Sequence, residues 1–166
     1  MKRLEFKMMN PMDDMWIYFD GKPIKYKTSY GHRIYSYETQ SDSVEIEIYH
    51  YNEVALKHYI LFHIIFFLIS ILGIFNKRYD KRCVSVKYKA ILKLNEASNV
   101  VAKYNGNFNK EGAINLETDL EYEVLENTKE KDLNAIKRLK KLKLINFFII
   151  LLLIAILITA IVLSNK

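Results

Sequence analysis

IKRLKKLKLINFFIILLLIAILITAIVL, residues Ile136 to Leu163, begins with a cluster of positive charge and then runs to its end with none. The five basic side chains Lys137, Arg138, Lys140, Lys141 and Lys143 stop where the apolar run begins. Residues 144–163 then supply 20 positions without a formal charge. As an α-helix that run is roughly 30 Å long, the thickness of a bilayer's hydrocarbon core. A helix that is apolar all round needs protein on every side to be buried in water. The rest of a 166-residue chain is too small to provide it. Segment 144–163 therefore reads as a transmembrane helix. The basic run beside it reads as an anchor for anionic headgroups rather than a nucleic-acid arm. Leu133, Ile136, Leu139 and Leu142 recur every three residues, which predicts a basic amphipathic helix over 127–143. Asn127 or Thr128 would cap it, and Glu130 and Asp132 would favour its positive end.

A second apolar window, YILFHIIFFLISILGIF (Tyr59–Phe75), has 17 uncharged residues. At roughly 26 Å as a helix it is short for a span. It predicts a hydrophobic helix over 58–76, either transmembrane or re-entrant. His63 inside it reads first as a neutral imidazole bonded to a carbonyl, and second as an intramembrane proton or ligand site. Lys77, Arg78, Lys81 and Arg82 follow the window. Together with the five basic residues ahead of the second helix, they mark the middle of the chain as cytoplasmic. Residues 77–143 carry sixteen basic and ten acidic side chains, whereas 1–58 carry eight and nine. Residues 1–57 lie outside if the first window crosses, and in the cytoplasm if it is re-entrant. Window length favours the crossing.

The polar remainder reads as β-structure. In MWIYFDGKPIKYK, alternating runs flank Asp20-Gly21, a strong signal for a two-residue hairpin turn. It pairs Phe19 with Lys22, Tyr18 with Pro23, Ile17 with Ile24 and Met15 with Tyr26. Trp16 falls on the face away from Met15, Ile17 and Phe19. RIYSYET and SVEIEIYHY continue the alternation. Farther on, VSVKYKAILKL places Lys87, Lys89 and Lys93 on one face, and INLETDLEYEV places Glu117, Asp119, Glu121 and Glu123 on one face. If the two strands are neighbours, these charges pair. NEASN and Asn105-Gly106 read as turns. The expected fold is an α+β membrane protein with a small antiparallel β-sandwich-like soluble part. Its segments are a β-rich stretch over 1–57, the first hydrophobic helix, a β-rich stretch over 77–126, the basic helix and the second span. Each β-stretch alone buries too little surface to be stable, so packing them as one sandwich is the economical arrangement.

Cys83 is the only cysteine, so an intrachain disulfide is excluded. The first residues carry charge where a signal peptide needs an apolar core. A membrane-proximal thiol such as Cys83 can be acylated, but it reads more simply as a small strand residue. His32, His50, His58 and His63 show no zinc-ligand spacing, and neither a phosphate-binding loop nor a nucleophile elbow is present. No cofactor, metal or catalytic residue is expected. Tyr26, Tyr30, Tyr35, Tyr37, Tyr49 and Tyr51 either decorate the sheets or form a binding surface for a sugar or a partner. The expected role is a non-enzymatic, membrane-anchored interaction module, touching anionic lipid and a protein partner or a second copy of itself, with no nucleic acid. A small bacterial defence or immunity protein guarding the membrane is the alternative, and a membrane-bound enzyme ranks last.

Overall fold

The computed structural model describes residues 1–12, 15–51, 58–61 and 83–164. The chain divides into two units, one of residues 1–51 and 84–131, the other of 52–83 and 132–166.

The first unit is two five-stranded sheets around one core. Its strands are β1 (Lys2–Met9), β2 (Met15–Phe19), β3 (Lys22–Pro23), β4 (Tyr26–Ser29), β5 (His32–Thr39), β6 (Ser43–His50), β7 (Val84–Lys93), β8 (Ala97–Tyr104), β9 (Ile114–Glu117) and β10 (Tyr122–Lys131). One sheet has the order β4-β5-β1-β8-β9 and the other β10-β7-β6-β2-β3. Both β-rich stretches of the sequence contribute to both sheets, so the two form a single body. The pairing is antiparallel except between β1 and β8, which run parallel from Arg3↔Ala97 to Met9↔Lys103.

Period-two alternation builds the core. Leu4, Phe6, Met8 and Tyr35 from one sheet are buried with Phe19, Val44, Ile46, Ile48, Val86 and Leu92 from the other. Phe6 meets Phe19 edge-on at 5.6 Å between ring centroids, and Phe19 meets Tyr35 at 6.4 Å. Such edge-to-face pairs add directional attraction to the burial of the rings.

The structure departs from expectation at four places. The Asp20-Gly21 turn forms with Phe19↔Lys22 and Tyr18↔Pro23, and both turn residues have positive φ. The expected Ile17–Ile24 pair keeps one backbone bond, Ile24 N to the Ile17 carbonyl at 3.4 Å; the chain then crosses to the other sheet, where Tyr26 pairs with Tyr35 instead of Met15. INLETDLEYEV is two strands: β9 lies in one sheet and β10 in the other. β1 and β8 come from stretches assigned no strand, although their Leu4/Phe6/Met8 and Ser98/Val100/Ala102 alternations are buried.

The fourth departure is the start of the long helix α1 (Leu133–Ser164). Residues 127–131, expected as its first turn, belong to β10. The cause is a bulge at Leu125, where the β10–β7 register shifts between Val124 and Glu126. A bulge exchanges the two faces of a strand, and so Asn127 turns to the core side, opposite Tyr88. Its Oδ1 accepts from Ala113 N at 2.6 Å and Ile114 N at 3.0 Å, and its Nδ2 donates to the Ile114 carbonyl at 2.8 Å. One side chain thus stitches β10 to the start of β9 across the edge of the sandwich. Asp132 takes over as helix cap, its Oδ1 accepting from Ala135 N at 2.8 Å.

In the second unit, Ala135, Leu139 and Leu142 follow i, i+4, i+7 on one stripe of α1, in a small cluster with Cys83, Tyr59, Ile136 and Ile145. Among the described residues α1 is the one helix long and apolar enough to cross a membrane, and its most apolar window buries nothing. Beyond residue 61, the window Tyr59–Phe75 lies outside the described residues, as do His63, Lys77, Arg78, Lys81 and Arg82.

Replacing Asn127 by Ala strands two backbone N–H groups and a carbonyl at once. The loss expected is about 1–3 kcal/mol, the desolvation cost of an unmet buried partner. Asn127→Asp keeps the acceptor and should lose less. Urea unfolding of both variants, followed by tryptophan emission, checks the order.

Candidate functional site

The residues expected to matter most lie on α1. Lys137, Lys140, Lys141 and Lys143 are exposed, and the Arg138 guanidinium lies 4.9 Å from the centre of the Tyr59 ring. Their arc is opposite the Ala135–Leu139–Leu142 stripe, because basic and apolar residues interleave at helical spacing. The helix therefore carries a positive collar at the start of its apolar stretch.

The tyrosines expected to act together are scattered. Tyr35 is in the core and Tyr30 is 98% exposed on a turn. Tyr26 lies beneath Arg33, with the guanidinium 4.7 Å from the ring centroid. Tyr37 donates to Asp20 Oδ2 at 2.7 Å, and this carboxylate raises its pKa, with burial adding to the effect. Asp20 Oδ1 accepts from Glu45 N at 2.9 Å, so one carboxylate braces the hairpin turn from both sheets.

Tyr49 and Tyr51 do meet, and the partner that the sequence did not supply is Trp16. On the outer face of the sheet, Trp16 is opposite Tyr49 and Tyr18 opposite Glu47. The Tyr49 and Tyr51 rings stack at 6.0 Å with planes 12° apart, and Tyr18 meets Tyr49 edge-on at 6.1 Å. With Gly21 and Glu47 these residues line an open depression of about 450 Å³. Trp16 is 59% exposed and Tyr51 48%. The signal was in the sequence, where Trp16, Tyr18, Glu47 and Tyr49 all occupy outward positions of their strands. The β2–β6 register that brings them side by side was not.

Beside the aromatic rings, Lys89 Nζ lies 2.9 Å from Glu45 and 3.0 Å from Glu47. The hydrogen bonds to these carboxylates hold the Lys89 ammonium up at about 12. Burial, and then the neighbouring Glu47, raise the pKa of the Tyr49 hydroxyl. Two carboxylates thus share one ammonium. Of the lysine and carboxylate faces expected to pair, Lys93 and Glu121 do so at 2.6 Å, whereas Lys89 is taken by Glu45 and Glu47 and Glu117 pairs with Lys103 of β8 at 2.5 Å. Those exposed pairs contribute little.

A larger depression of about 660 Å³ is lined by Phe108, Lys110, Gly112, Asn127 and Lys129 among others. Its half-buried lysine is already committed: Lys129 donates to the carbonyls of Asn105 at 3.0 Å and Asn107 at 2.5 Å. Burial pulls the Lys129 pKa down. This is a latch holding the 105–112 loop to β10. His50 is likewise committed, buried with Nδ1 2.7 Å from the Val84 carbonyl oxygen. Among the described residues no three His, Cys, Asp or Glu side chains converge as metal ligands would. No protein family, curated protein or solved structure matches the chain.

Lys89→Gln would leave Glu45 and Glu47 side by side without their shared cation. At pH 7 only a small destabilisation is expected, because the trio is partly exposed and screened by solvent. The wild-type contribution follows from the raised ammonium pKa: it is complete below the ordinary lysine value of 10.5 and fades as pH rises through about 12. Urea midpoints of the two proteins should therefore differ at pH 7 and converge above pH 12.

Proposed function

We propose that the chain is a membrane-anchored, non-enzymatic interaction module whose β-unit lies wholly on the cytoplasmic side. The observation that carries this reading is the sheet pairing. β6 and β7 are hydrogen-bonded neighbours from Ser43↔Lys93 to His50↔Val86, and a continuous ladder does not straddle a bilayer. Residues 1–51 and 84–131 then share one side. This supports the re-entrant alternative for the apolar window, and the reading with 1–57 outside is dropped in its favour.

The anchor is the α1 helix. Its exposed Leu144, Phe147, Phe148, Leu152, Ile156, Leu157 and Leu163 form an apolar surface far larger than a soluble monomer tolerates. Lipid is the solvent such a surface requires. The collar Lys137, Arg138, Lys140, Lys141 and Lys143 precedes it and is suited to anionic headgroups on the cytoplasmic leaflet. In the soluble unit, Lys89, Asp20 and Lys129 are spent on structural partners, which favours binding by a surface over catalysis.

The test has two parts. High salt should leave the protein in the membrane pellet and detergent should release it, because screening weakens a collar and not a span. In a Cys83→Ser background, single thiols at Ser41 and Lys110 report the two β-stretches. Both should react with an impermeant maleimide in inside-out vesicles and neither in right-side-out ones. Release by salt, or labelling of the two thiols from opposite sides, overturns the reading.

A further inference from the structure

We infer that the depression around Trp16 binds an alkylated ammonium group. This deepens the reading of the β-unit as an interaction module by giving its surface a ligand chemistry, and it rests on that reading only for its setting.

Three features converge. First, Trp16, Tyr18, Tyr49 and Tyr51 supply π-faces or edges to one depression of about 450 Å³, within the range of small-molecule sites. An aromatic face attracts a cation through its quadrupole, Trp most strongly, and quaternary ammonium groups are the ligands that such cages take. Second, the carboxylate lining the depression belongs to Glu47, and an ionised carboxylate only accepts hydrogen bonds. It suits a cation and disfavours an anion. Third, Glu45 and Glu47 share the single ammonium of Lys89, so acceptor capacity is left over on the carboxylates beside the rings. Lys87 is opposite Tyr49 on the neighbouring strand but does not line the depression. A sugar is the less fitting ligand, since it needs a row of mixed donors and acceptors beside its stacking ring.

The site is also pre-formed. Trp16 and Tyr18 are on β2, Glu47 and Tyr49 on β6, and the two strands pair over five registered positions from Met15↔His50 to Phe19↔Ile46. Three of the rings and the carboxylate are held by the sheet, and Tyr51, just past the end of β6, stacks on Tyr49, so little ordering is lost on binding. An alkylated ammonium could come from a soluble compound or from the choline headgroup of a lipid, and the experiment separates them.

Trp16 is the only tryptophan in the chain, so its emission reports on this part of the sheet, and the Glu47 and Tyr51 variants tie a response to the proposed depression rather than to the neighbouring one that Trp16 also lines. Full-length protein in maltoside micelles is titrated with tetramethylammonium chloride against sodium chloride at matched ionic strength. A saturable change with the first salt alone is expected. Glu47→Gln and Tyr51→Ala, each shown to be folded by circular dichroism, should weaken it about threefold or more. In a second arm the protein is reconstituted into phosphatidylcholine or phosphatidylglycerol vesicles. A soluble ligand is indicated if free choline saturates the signal in both lipids. A lipid-borne group is indicated if phosphatidylcholine alone shifts the emission and abolishes the response to choline. A linear, salt-like response, identical in the variants and blind to lipid, overturns the inference. Membrane extraction and thiol labelling are independent of Trp16, so failure here leaves the anchored reading standing.

Discussion

The ladder between β6 and β7 is the constraint on which the rest depends. Its shortest registered pair, His50 with Val86, closes a loop of 36 positions (86 − 50), and that closure costs entropy before any other long-range contact can repay it. Once closed, it makes Val44, Ile46 and Ile48 the middle of a buried face instead of the edge of a three-stranded fragment. It also sets β10 beside β7 and leaves β2 beside β6. The shared core of the two halves follows from that one pairing.

The two halves are further locked by the parallel contact of β1 with β8. Parallel neighbours need a long crossover, and here the crossover includes most of the other sheet. Each sheet therefore has a strand from early in the chain hydrogen-bonded to one from late in it. Neither half has a complete core of its own, as expected for stretches of about fifty residues. The chain has made one adequate domain from two inadequate ones.

Alternation was legible wherever it was strong and flanked by a turn signal. Ile17 and Phe19, Val44 to Ile48, and Val84 to Leu92 are buried as their period predicts, and α1 was legible from Leu144 onward because twenty uncharged residues admit few readings. The β1 strand was missed because Lys2, Arg3 and Lys7 drew attention to charge, although Leu4, Phe6 and Met8 alternate beneath it. The helix start was misplaced because a bulge has no composition of its own: Leu125 continues an apolar pattern while reversing which face it serves. The aromatic depression was half legible. Outward positions follow from period two, but which outward positions become neighbours depends on register, and register is a property of two distant strands.

The same topology sets a timetable for synthesis. β1 and β6 are the early strands that await late partners, one beside β8 and the other beside β7. The ribosome must add residues 10 to 96 before β8 begins, roughly 4–17 s at about 5–20 residues per second. Within that interval β1, and β6 once it is made, present unpaired edges, the most aggregation-prone surface a β-protein has. The order of strands thus sets how long two future sheet interiors stay open to other nascent chains.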